Sequence, residues 1–329
     1  MRHAGEVFGD LLSRAEGAFF VGVSSAQSAV ALAQTGLRLF YLGGFAEAVL
    51  HGTPDVGVRT ADEVFARIKS VALALEDAGF KDVLLVADLD TGYGGIHNLR
   101  RILRDVFTLP RIAGVHLEDQ VFPKRCGHIA GREVIPAEEF CAKLRAAIDL
   151  RDERCPALKL IARTDALGAV SGSMEEAIRR GRMYAEAGAD SVWCETQKPD
   201  RETARRFYEG MKSYLPPCGL AYNVSLSFKW RAFKGVRVTW KDLIRWQYRF
   251  RFGTYFTTVA EIAAVHRAGQ WLKEARDEIA AIERVQTYAN GTPAVDVRNF
   301  SGAKRYQEIE KRYGLGEKIK RSEGFGGKE

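Results

Sequence analysis

The chain has 329 residues, of which 46% are hydrophobic, so it can form one large domain or two smaller ones. It contains no run of eighteen apolar residues and no apolar signal region at its N-terminus, so we expect a cytoplasmic protein without a membrane span or secretory signal. The net charge of +7 is modest, and five scattered cysteines without a Cys-x-x-Cys pair argue against a disulfide framework or a structural zinc site.

Eight apolar segments rich in β-forming residues alternate along the chain with segments of helical pattern. The apolar segments begin at residues 18, 37, 82, 113, 158, 191, 219 and 253. Several of the helical segments open with Thr, Ser or Asp and several close on Gly, as capped helices do. Eight such β-α-β units predict a parallel (β/α)8 TIM-type barrel. An open doubly wound sheet is the alternative, although no G-x-G-x-x-G motif follows the first strand.

Two segments near the C-terminus need separate interpretation. The stretch "RWQYRFRFGTYF" at 245 to 256 is the one candidate for nucleic-acid binding, but its alternation also suits the eighth strand, which we favour. We therefore expect no nucleic-acid partner. The barrel is expected over residues 1–265, and a helical extension with the lysine-rich tail "GEKIKRSEGFGGKE" over 266–329.

Polar residues stand where each of the eight apolar segments stops. Active sites of such barrels lie at the carboxyl ends of the strands, so these residues are expected to surround one site. They are Ser24 and Ser25, Tyr41 with two glycines, Asp88 and Asp90, His116 with Glu118, Arg163, Glu195, Asn223 with Ser225, and Thr257 with Thr258.

The stretch "ADLDTGYGG" predicts a metal site. Asp88 and Asp90 are two residues apart and point the same way from a strand, so their carboxylates need a cation between them. Oxygen ligands without His or Cys favour Mg²⁺, which keeps several waters, and Glu118 and Asp55 could hold those waters. The alternative is that both aspartates cap the glycine-rich turn that follows.

The stretch "KRCGH" surrounds one thiol with cations. Lys124, Arg125 and a protonated His128 would lower the pKa of Cys126, so we interpret this cysteine as a reactive residue. His128 is expected to orient or charge the Cys126 loop, and the alternative is that it contacts a substrate carboxylate. Two glycines and a proline in the segment 120–132 are typical of a mobile lid, which we expect to be displaced without ligand.

The remaining polar strand ends predict a pocket for a small polycarboxylate. Arg163, Lys124 and Arg125 supply cationic donors, and Asn223, Ser225 and Ser227 supply neutral ones. A metal-bound 2-hydroxy polycarboxylate invites carbon–carbon cleavage, in which a base takes the hydroxyl proton and an acid protonates the carbanion. Cys126 suits the acid and Tyr41 is a candidate base.

These motifs resemble those of the isocitrate lyase and phosphoenolpyruvate mutase superfamily. "KRCGH" is similar to the lyase signature, and "ADLDTGYGG", "GVHLEDQ" and "ARTDA" are similar to the superfamily's metal and carboxylate motifs, over residues 18 to at least 265. The resemblance implies cleavage to succinate and a 2-oxo acid that depends on Mg²⁺, with Mn²⁺ as an alternative. It implies Cys126 as the acid, Asp88 as the direct metal ligand, and Asp90 and Glu118 as ligands through water. It also implies a homotetramer with swapped final helices.

The resemblance also bears on the substrate. "WCET" and "AYNVSLSFKW" resemble isocitrate lyases, and Trp193 and Thr258 would fill the space that a methyl group needs. We therefore favour isocitrate, cleaved to glyoxylate in the glyoxylate cycle, over 2-methylisocitrate, cleaved to pyruvate. The stretch "YLGGF" replaces Y-L-S-G-W, which leaves backbone N–H groups of Gly43 and Gly44 and the ring of Phe45 for substrate contacts. Two further residues, Gly127 and Glu195, complete the expected pocket.

Two other classes of function remain open at this stage. The barrel could be a binding module for small acids, or an oxo-acid enzyme that does not cleave as a lyase does. An acidic Cys126 beside Asp88 and Glu118 argues against a mere binding module, and Cys126→Ser separates the lyase from relatives that do not need the cysteine.

Overall fold

Eight parallel strands close into a barrel in sequence order, in a computed structural model that describes residues 2–275 and 277–315. The strands are Ala18–Gly22 (β1), Leu39–Leu42 (β2), Leu84–Asp88 (β3), Ile112–Glu118 (β4), Lys159–Thr164 (β5), Ser191–Cys194 (β6), Leu220–Asn223 (β7) and Tyr248–Gly253 (β8). The predicted (β/α)8 fold is confirmed and the open sheet is excluded. The lysine-rich tail from residue 316 lies outside the described residues.

One helix precedes the first strand, others connect the strands, and the last ones follow β8. The helices are Ala4–Ser13 (α1), Ala26–Gln34 (α2), Gly44–Leu50 (α3), Ala61–Asp77 (α4), Ile96–Val106 (α5), Ala137–Arg154 (α6), Met174–Glu186 (α7), Arg201–Met211 (α8), Trp240–Arg245 (α9), Phe256–Glu274 (α10), Glu278–Ala289 (α11), Val297–Phe300 (α12) and Ala303–Arg312 (α13). Ser25, Thr60, Ser173, Asp200 and Thr239 each accept a backbone N–H at a helix start, as the cap pattern predicted.

Helix α1 packs into the barrel core and was not expected from the sequence. Its Phe8 ring meets those of Phe20 and Phe250 edge-on, with centroids 5.1 and 5.4 Å apart. Two sequence signals could have found it: the apolar spacing of Phe8 and Leu12, and a capping box formed by His3 and Glu6. The short helix α3 was missed as well, because it directly follows a strand end.

The basic and aromatic stretch at 245 to 256 contains β8, as favoured from its alternation. Phe250 and Phe252 are fully buried. Arg251 is also buried, where it donates to the Tyr248 carbonyl at 2.8 Å and lies 3.9 Å from the ring centroid of Trp240. The charge that suggested nucleic-acid binding is therefore partly used inside the fold.

The chain divides into two compact units, Met1–Ala260 and Glu261–Glu329. The expected boundary after residue 265, the helix swap and the tetramer stay predictions. One long final helix was expected, but Asp277 accepts the Ala280 N–H at 2.8 Å and starts α11 as a separate helix. Within residues 2–275 and 277–315, no helix is long and apolar enough to cross a membrane.

Candidate active site

Strand pairing brings the predicted polar residues side by side. Asp88 on β3 pairs with His116 on β4, and two positions on, Glu118 pairs with Arg163 on β5. Arg163 in turn pairs with Trp193 on β6. These five side chains are all buried, so they form one continuous layer at the carboxyl end of the barrel.

The Asp88 carboxylate accepts three hydrogen bonds. It accepts the Gly44 N–H at 2.8 Å, the Asp90 N–H at 2.9 Å and the Tyr41 hydroxyl at 3.3 Å. Burial opposes its ionisation, but His116, Lys124 and the two backbone donors hold the pKa of Asp88 below its ordinary value. Asp88 is therefore ionised at neutral pH and available to a cation.

Glycine is required where the backbone approaches these carboxylates. A Cβ on Gly44 would stand 2.7 Å from Asp90 Oδ1 and 3.3 Å from Asp88 Oδ2. A Cβ on Gly43 would stand 2.9 Å from the Tyr41 ring. The ring of Phe45 lies beside that of Tyr255, with centroids 4.5 Å apart. The "YLGGF" stretch thus brings backbone, rather than side-chain donors, up to the site.

Lys124 bridges two carboxylates of the predicted metal set. Its Nζ lies 2.5 Å from Asp55 Oδ1 and 2.8 Å from Asp90 Oδ1. Burial, with the charges of Asp88 and Asp55, outweighs Lys124 and raises the pKa of Asp90 to about 6. Burial also raises the pKa of Glu118 well above its ordinary value. Lys124 was expected to bind a substrate carboxylate, but here it neutralises protein carboxylates.

The oxygen donors fit a hydrated divalent cation. Asp55 and Asp90 both contact the Lys124 ammonium, and Asp88 and Glu118 also act on it electrostatically, so one ammonium group faces several carboxylates. Glu118 lies 3.1 Å from Arg163, but among the described residues neither of its carboxylate oxygens has a hydrogen bond. Within the part of the chain that the structure describes, no three Asp, Glu, His or Cys side chains form a ready cluster of direct ligands. Oxygen-only donors of this kind are those that Mg²⁺ accepts, with waters completing its shell.

The Cys126 loop is tied down over the carboxylates. Cys126 N–H donates to the Asp55 carbonyl at 2.9 Å, and Gln120 exchanges two hydrogen bonds with the Arg125 backbone at 2.8 and 2.9 Å. Arg132 donates to the Gly127 carbonyl. The Arg125 side chain is exposed and, within the part of the chain that the structure describes, it hydrogen-bonds only the Ala130 carbonyl, so it contacts none of the other predicted site residues there.

The Cys126 thiol is protonated at neutral pH, contrary to the expectation of a lowered pKa. Burial and the charge of Asp55 raise the pKa of Cys126 to about 11. The neighbouring cation does not offset this, because Lys124 is already paired with Asp55 and Asp90. The protonated form is the one that a general acid needs.

Arg163 is held in a fixed position by its own carboxylates. It binds Asp165 with two bonds, 2.7 Å from Nε and 2.9 Å from Nη2, and lies 3.1 Å from Glu118 Oε2. The guanidinium lies 4.4 Å from the Trp193 ring centroid. Asp165 was not predicted as a site residue, although its spacing of two from Arg163 in "ARTDA" places both on one side of the strand.

Glu195, which directly follows β6, faces the Cys126 loop. Asn223 Nδ2 and His128 Nε2 each lie 3.5 Å from Glu195 Oε1, and a Cβ on Gly127 would stand 2.6 Å from that atom. Burial raises the pKa of Glu195 to about 7. Burial and Arg163 lower the pKa of His128 to about 4, so His128 is neutral and does not charge the loop as supposed.

The predicted neutral donors are only partly directed at the site. Ser225 accepts the Ser227 N–H at 3.1 Å, and the Ser227 hydroxyl lies 2.5 Å from the Tyr255 hydroxyl, so both serve the loop after β7. Among residues 2–275 and 277–315, Asn223 Oδ1 and Thr258 Oγ1 are buried without a hydrogen-bond partner, as is Glu195 Oε2. These atoms are among the unsatisfied polar groups that a substrate could meet.

His116 was recognised only as a strand end, yet it links Tyr41 to Asp88. Its Nδ1 lies 3.0 Å from the Tyr41 hydroxyl and 3.3 Å from Asp88 Oδ1. Burial lowers the pKa of His116 to about 4, and burial with the Asp88 charge raises the pKa of Tyr41 well above its ordinary value. These surroundings make Tyr41 a hydrogen-bond donor and do not favour it as the base.

Comparisons with known proteins agree with this geometry. A family model described as phosphoenolpyruvate phosphomutase matches residues 8–236, and one described as the isocitrate lyase family matches residues 168–317. The chain is 34% identical to isocitrate lyase of Haloferax volcanii over 96% of this chain and 89% of that protein. It is 34% identical to 2-methylisocitrate lyase of Bacillus subtilis over 57% of this chain and 58% of that protein. A structure of oxaloacetate acetylhydrolase with 3,3-difluorooxalacetate superposes with a TM-score of 0.78 and 26% identity, covering 94% of this chain and 97% of that one.

Proposed function

The chain belongs to the phosphoenolpyruvate mutase and isocitrate lyase superfamily, and we propose that it is a Mg²⁺-dependent carbon–carbon lyase that cleaves isocitrate to succinate and glyoxylate. One observation carries the proposal: Cys126, whose thiol stays protonated, is hydrogen-bonded through its backbone N–H to the carbonyl of Asp55, and the Asp55 carboxylate shares the Lys124 ammonium with Asp90. Retro-aldol cleavage of a polycarboxylate requires this combination: a cation site, and beside it a group that can give a proton to the carbanion.

The carboxylates of β3 and β4 are proposed to hold the cation. Asp88 is ionised and would bind directly, while Asp90, Glu118 and Asp55 would bind its waters. A divalent cation held there supplies positive charge beside the oxygen that becomes negative during cleavage. Lys124 would remain between Asp55 and Asp90 and limit their mutual repulsion.

Glu195 is proposed as the base that begins the reaction. Its pKa of about 7 matches the pH at which the enzyme would operate, which favours proton transfer in both directions. It would take the proton from the C2 hydroxyl, the C2–C3 bond would break, and the electron pair would remain on C3. The C2 carbonyl so formed belongs to glyoxylate. Tyr41, the base first considered, would instead orient Asp88.

Cys126 is proposed as the acid that ends the reaction. It would give its proton to C3 and so produce succinate, and the proton taken up by Glu195 would restore the thiol. The hydrogen bond from Cys126 N–H to the Asp55 carbonyl fixes the loop that carries the thiol. Serine at this position would keep the size but lose the acidity, so we expect Cys126→Ser to lower kcat by about a thousandfold.

The floor of the pocket supports isocitrate over its methylated analogue. Trp193 is 1% exposed and packs between the Arg163 guanidinium and the Phe252 ring, whose centroid is 4.8 Å away. A side chain fixed on two sides cannot move to admit an additional methyl group. Thr258 lies at the start of α10, shortly after β8. It is buried and would narrow the same pocket.

The deciding experiment compares initial rates with isocitrate and 2-methylisocitrate at equal concentration, with Mg²⁺ and then with EDTA, while the 2-oxo acid is trapped. Glyoxylate release that stops with EDTA and resumes with Mg²⁺ or Mn²⁺ is expected. The activity of Cys126→Ser is measured together with that of Cys141→Ser, which is the control. It makes the same change at a buried thiol that donates to the Met183 carbonyl. Full activity of Cys126→Ser would remove the acid from the mechanism.

The second candidate is 2-methylisocitrate lyase. The similarity to the Bacillus subtilis protein favours it, although that similarity covers 57% of this chain against 96% for the isocitrate lyase of Haloferax volcanii. Faster pyruvate release than glyoxylate release would establish it. Release of neither 2-oxo acid would refute both lyase assignments and leave the oxo-acid hydrolases and mutases of the superfamily.

A further inference from the structure

A cavity of about 680 Å³ lies beside the catalytic layer, between the segment after β6 and the segment after β7. Backbone hydrogen bonds join the two segments, from Val238 N to the Pro199 carbonyl at 2.8 Å and from Arg201 N to the Val236 carbonyl at 2.9 Å. The walls are therefore tied to each other, and the cavity is a defined part of the barrel unit.

The charge that lines this cavity is of one sign. Lys198, Lys229 and Lys234 line it, and none of its described lining residues is Asp or Glu. None of the three ammonium groups is paired with a carboxylate among residues 2–275 and 277–315, whereas Lys212 elsewhere on the barrel pairs with Glu209 at 3.0 Å. Three unneutralised cations facing one space attract anions.

The cavity shares two lining residues with the predicted site. His128 and Ser227 line it, and His128 also lies 3.5 Å from Glu195. The ring of Phe228, another lining residue, meets that of His128 with centroids 5.4 Å apart. A small molecule in the cavity would therefore be one residue away from the proposed base.

The catalytic layer by itself does not attract a polyanion. Its two cations, Lys124 and Arg163, are each paired with two carboxylates. Apart from the divalent cation proposed for the layer, the positive charge that attracts a polyanionic substrate must then come from outside it. The lysine-lined cavity is placed to supply it.

We infer that this cavity is an antechamber that binds small polycarboxylates through Lys198, Lys229 and Lys234 before they reach the catalytic layer. Its volume exceeds that of a six-carbon acid, so it gathers anions without fixing one orientation, and the chemistry is left to the inner site. The identity of isocitrate as the physiological anion rests on the proposed function; the preference for polycarboxylates does not.

The kinetic test uses the triple variant K198Q/K229Q/K234Q with isocitrate and Mg²⁺. We expect kcat/KM to fall about tenfold at low ionic strength, with kcat changed less than about twofold, and the loss to shrink to about twofold in about 0.5 M salt. The control K69Q/K81Q/K212Q removes the same charge from other faces of the barrel unit and should lose less than about twofold. Equal losses in the two triples would overturn the inference.

A binding test separates this inference from the proposed function. Calorimetry with propane-1,2,3-tricarboxylate, which lacks the hydroxyl needed for cleavage, should show about tenfold weaker binding to the cavity triple than to the wild type or the control triple. That result without isocitrate cleavage would refute the lyase and keep the antechamber. Isocitrate cleavage with unchanged probe binding would keep the lyase and refute the antechamber.

Discussion

Carboxylates are buried on two sides of the barrel mouth, but their pKa values differ between the two sides. On the β3–β4 side Asp88 has its pKa lowered, while on the β6–β7 side Glu195 has a pKa of about 7. Asp88 accepts three hydrogen bonds at 2.8 to 3.3 Å, whereas the described contacts of Glu195 with Asn223 and His128 are both 3.5 Å. Burial raises both pKa values; at Asp88 the charges of His116 and Lys124, with two close backbone donors, outweigh it, whereas at Glu195 the charge of Arg163 does not.

The largest effects should separate the two sides. Glu195→Gln should lower kcat about a hundredfold at any Mg²⁺ concentration, because a base is lost. Asp90→Asn should instead raise the Mg²⁺ concentration needed for half activity by about ten- to a hundredfold, because it removes a carboxylate that orients the cation's waters. Mg²⁺ titrations of both variants measure this. Recovery of Glu195→Gln by excess Mg²⁺ would contradict the division of roles.

The pH dependence of kcat/KM should report Glu195. A base must be deprotonated, so the rate should rise about tenfold per pH unit up to about pH 7 and then level. Glu195→Gln should lose the rising part of the profile, while Asp90→Asn, on the other side of the mouth, should keep it. A rate profile that is flat from pH 5 to 8 in the wild type would refute the assignment.

The stability of the fold should depend on the same group. The pKa of Glu195 is raised in the folded enzyme, so its contribution to the free energy of unfolding should be lost as pH rises through about 7.

A smaller effect should appear at Trp193, which lies on β6 and packs against Arg163 of β5. Trp193→Phe should shift the ratio of kcat/KM for 2-methylisocitrate over isocitrate upward by about tenfold, because the space of one methyl group is worth about that much. Parallel assays of glyoxylate and pyruvate give the ratio. Phe207→Leu, a change at a buried aromatic residue of helix α8, serves as the control and should leave the ratio unchanged.

The smallest effect is expected at Arg125. Lys124→Gln should disrupt the β3–β4 side, since that lysine bridges Asp55 and Asp90, but Arg125→Gln should change kcat and KM less than about twofold. The Arg125 side chain is exposed and contacts a carbonyl of its own loop. Steady-state kinetics of the two neighbours show the contrast; an increase of tenfold in KM for Arg125→Gln would place its side chain on the substrate during turnover.

Much of the composition of the site could be predicted from the eight strand–helix repeats. Once eight strand ends were placed at one face, Asp88, Glu118, Arg163 and Glu195 had to be neighbours, and the structure brings them together. The pairings that change their chemistry did not follow. Nothing local in "KRCGH" says that Lys124 pairs with Asp55 and Asp90, since these partners lie on other segments of the chain.

The sequence by itself determined the alternation of strands and helices, the parallel barrel, the polar strand ends and the lyase-like motifs. It could do so because apolar periodicity and helix caps are local properties of the chain. Only the tertiary structure decided the protonation of Cys126, Glu195 and His128, the exposure of Arg125 and the lysine-lined cavity. Each of these depends on burial and on charges from distant segments, which act through space and leave no pattern in neighbouring residues.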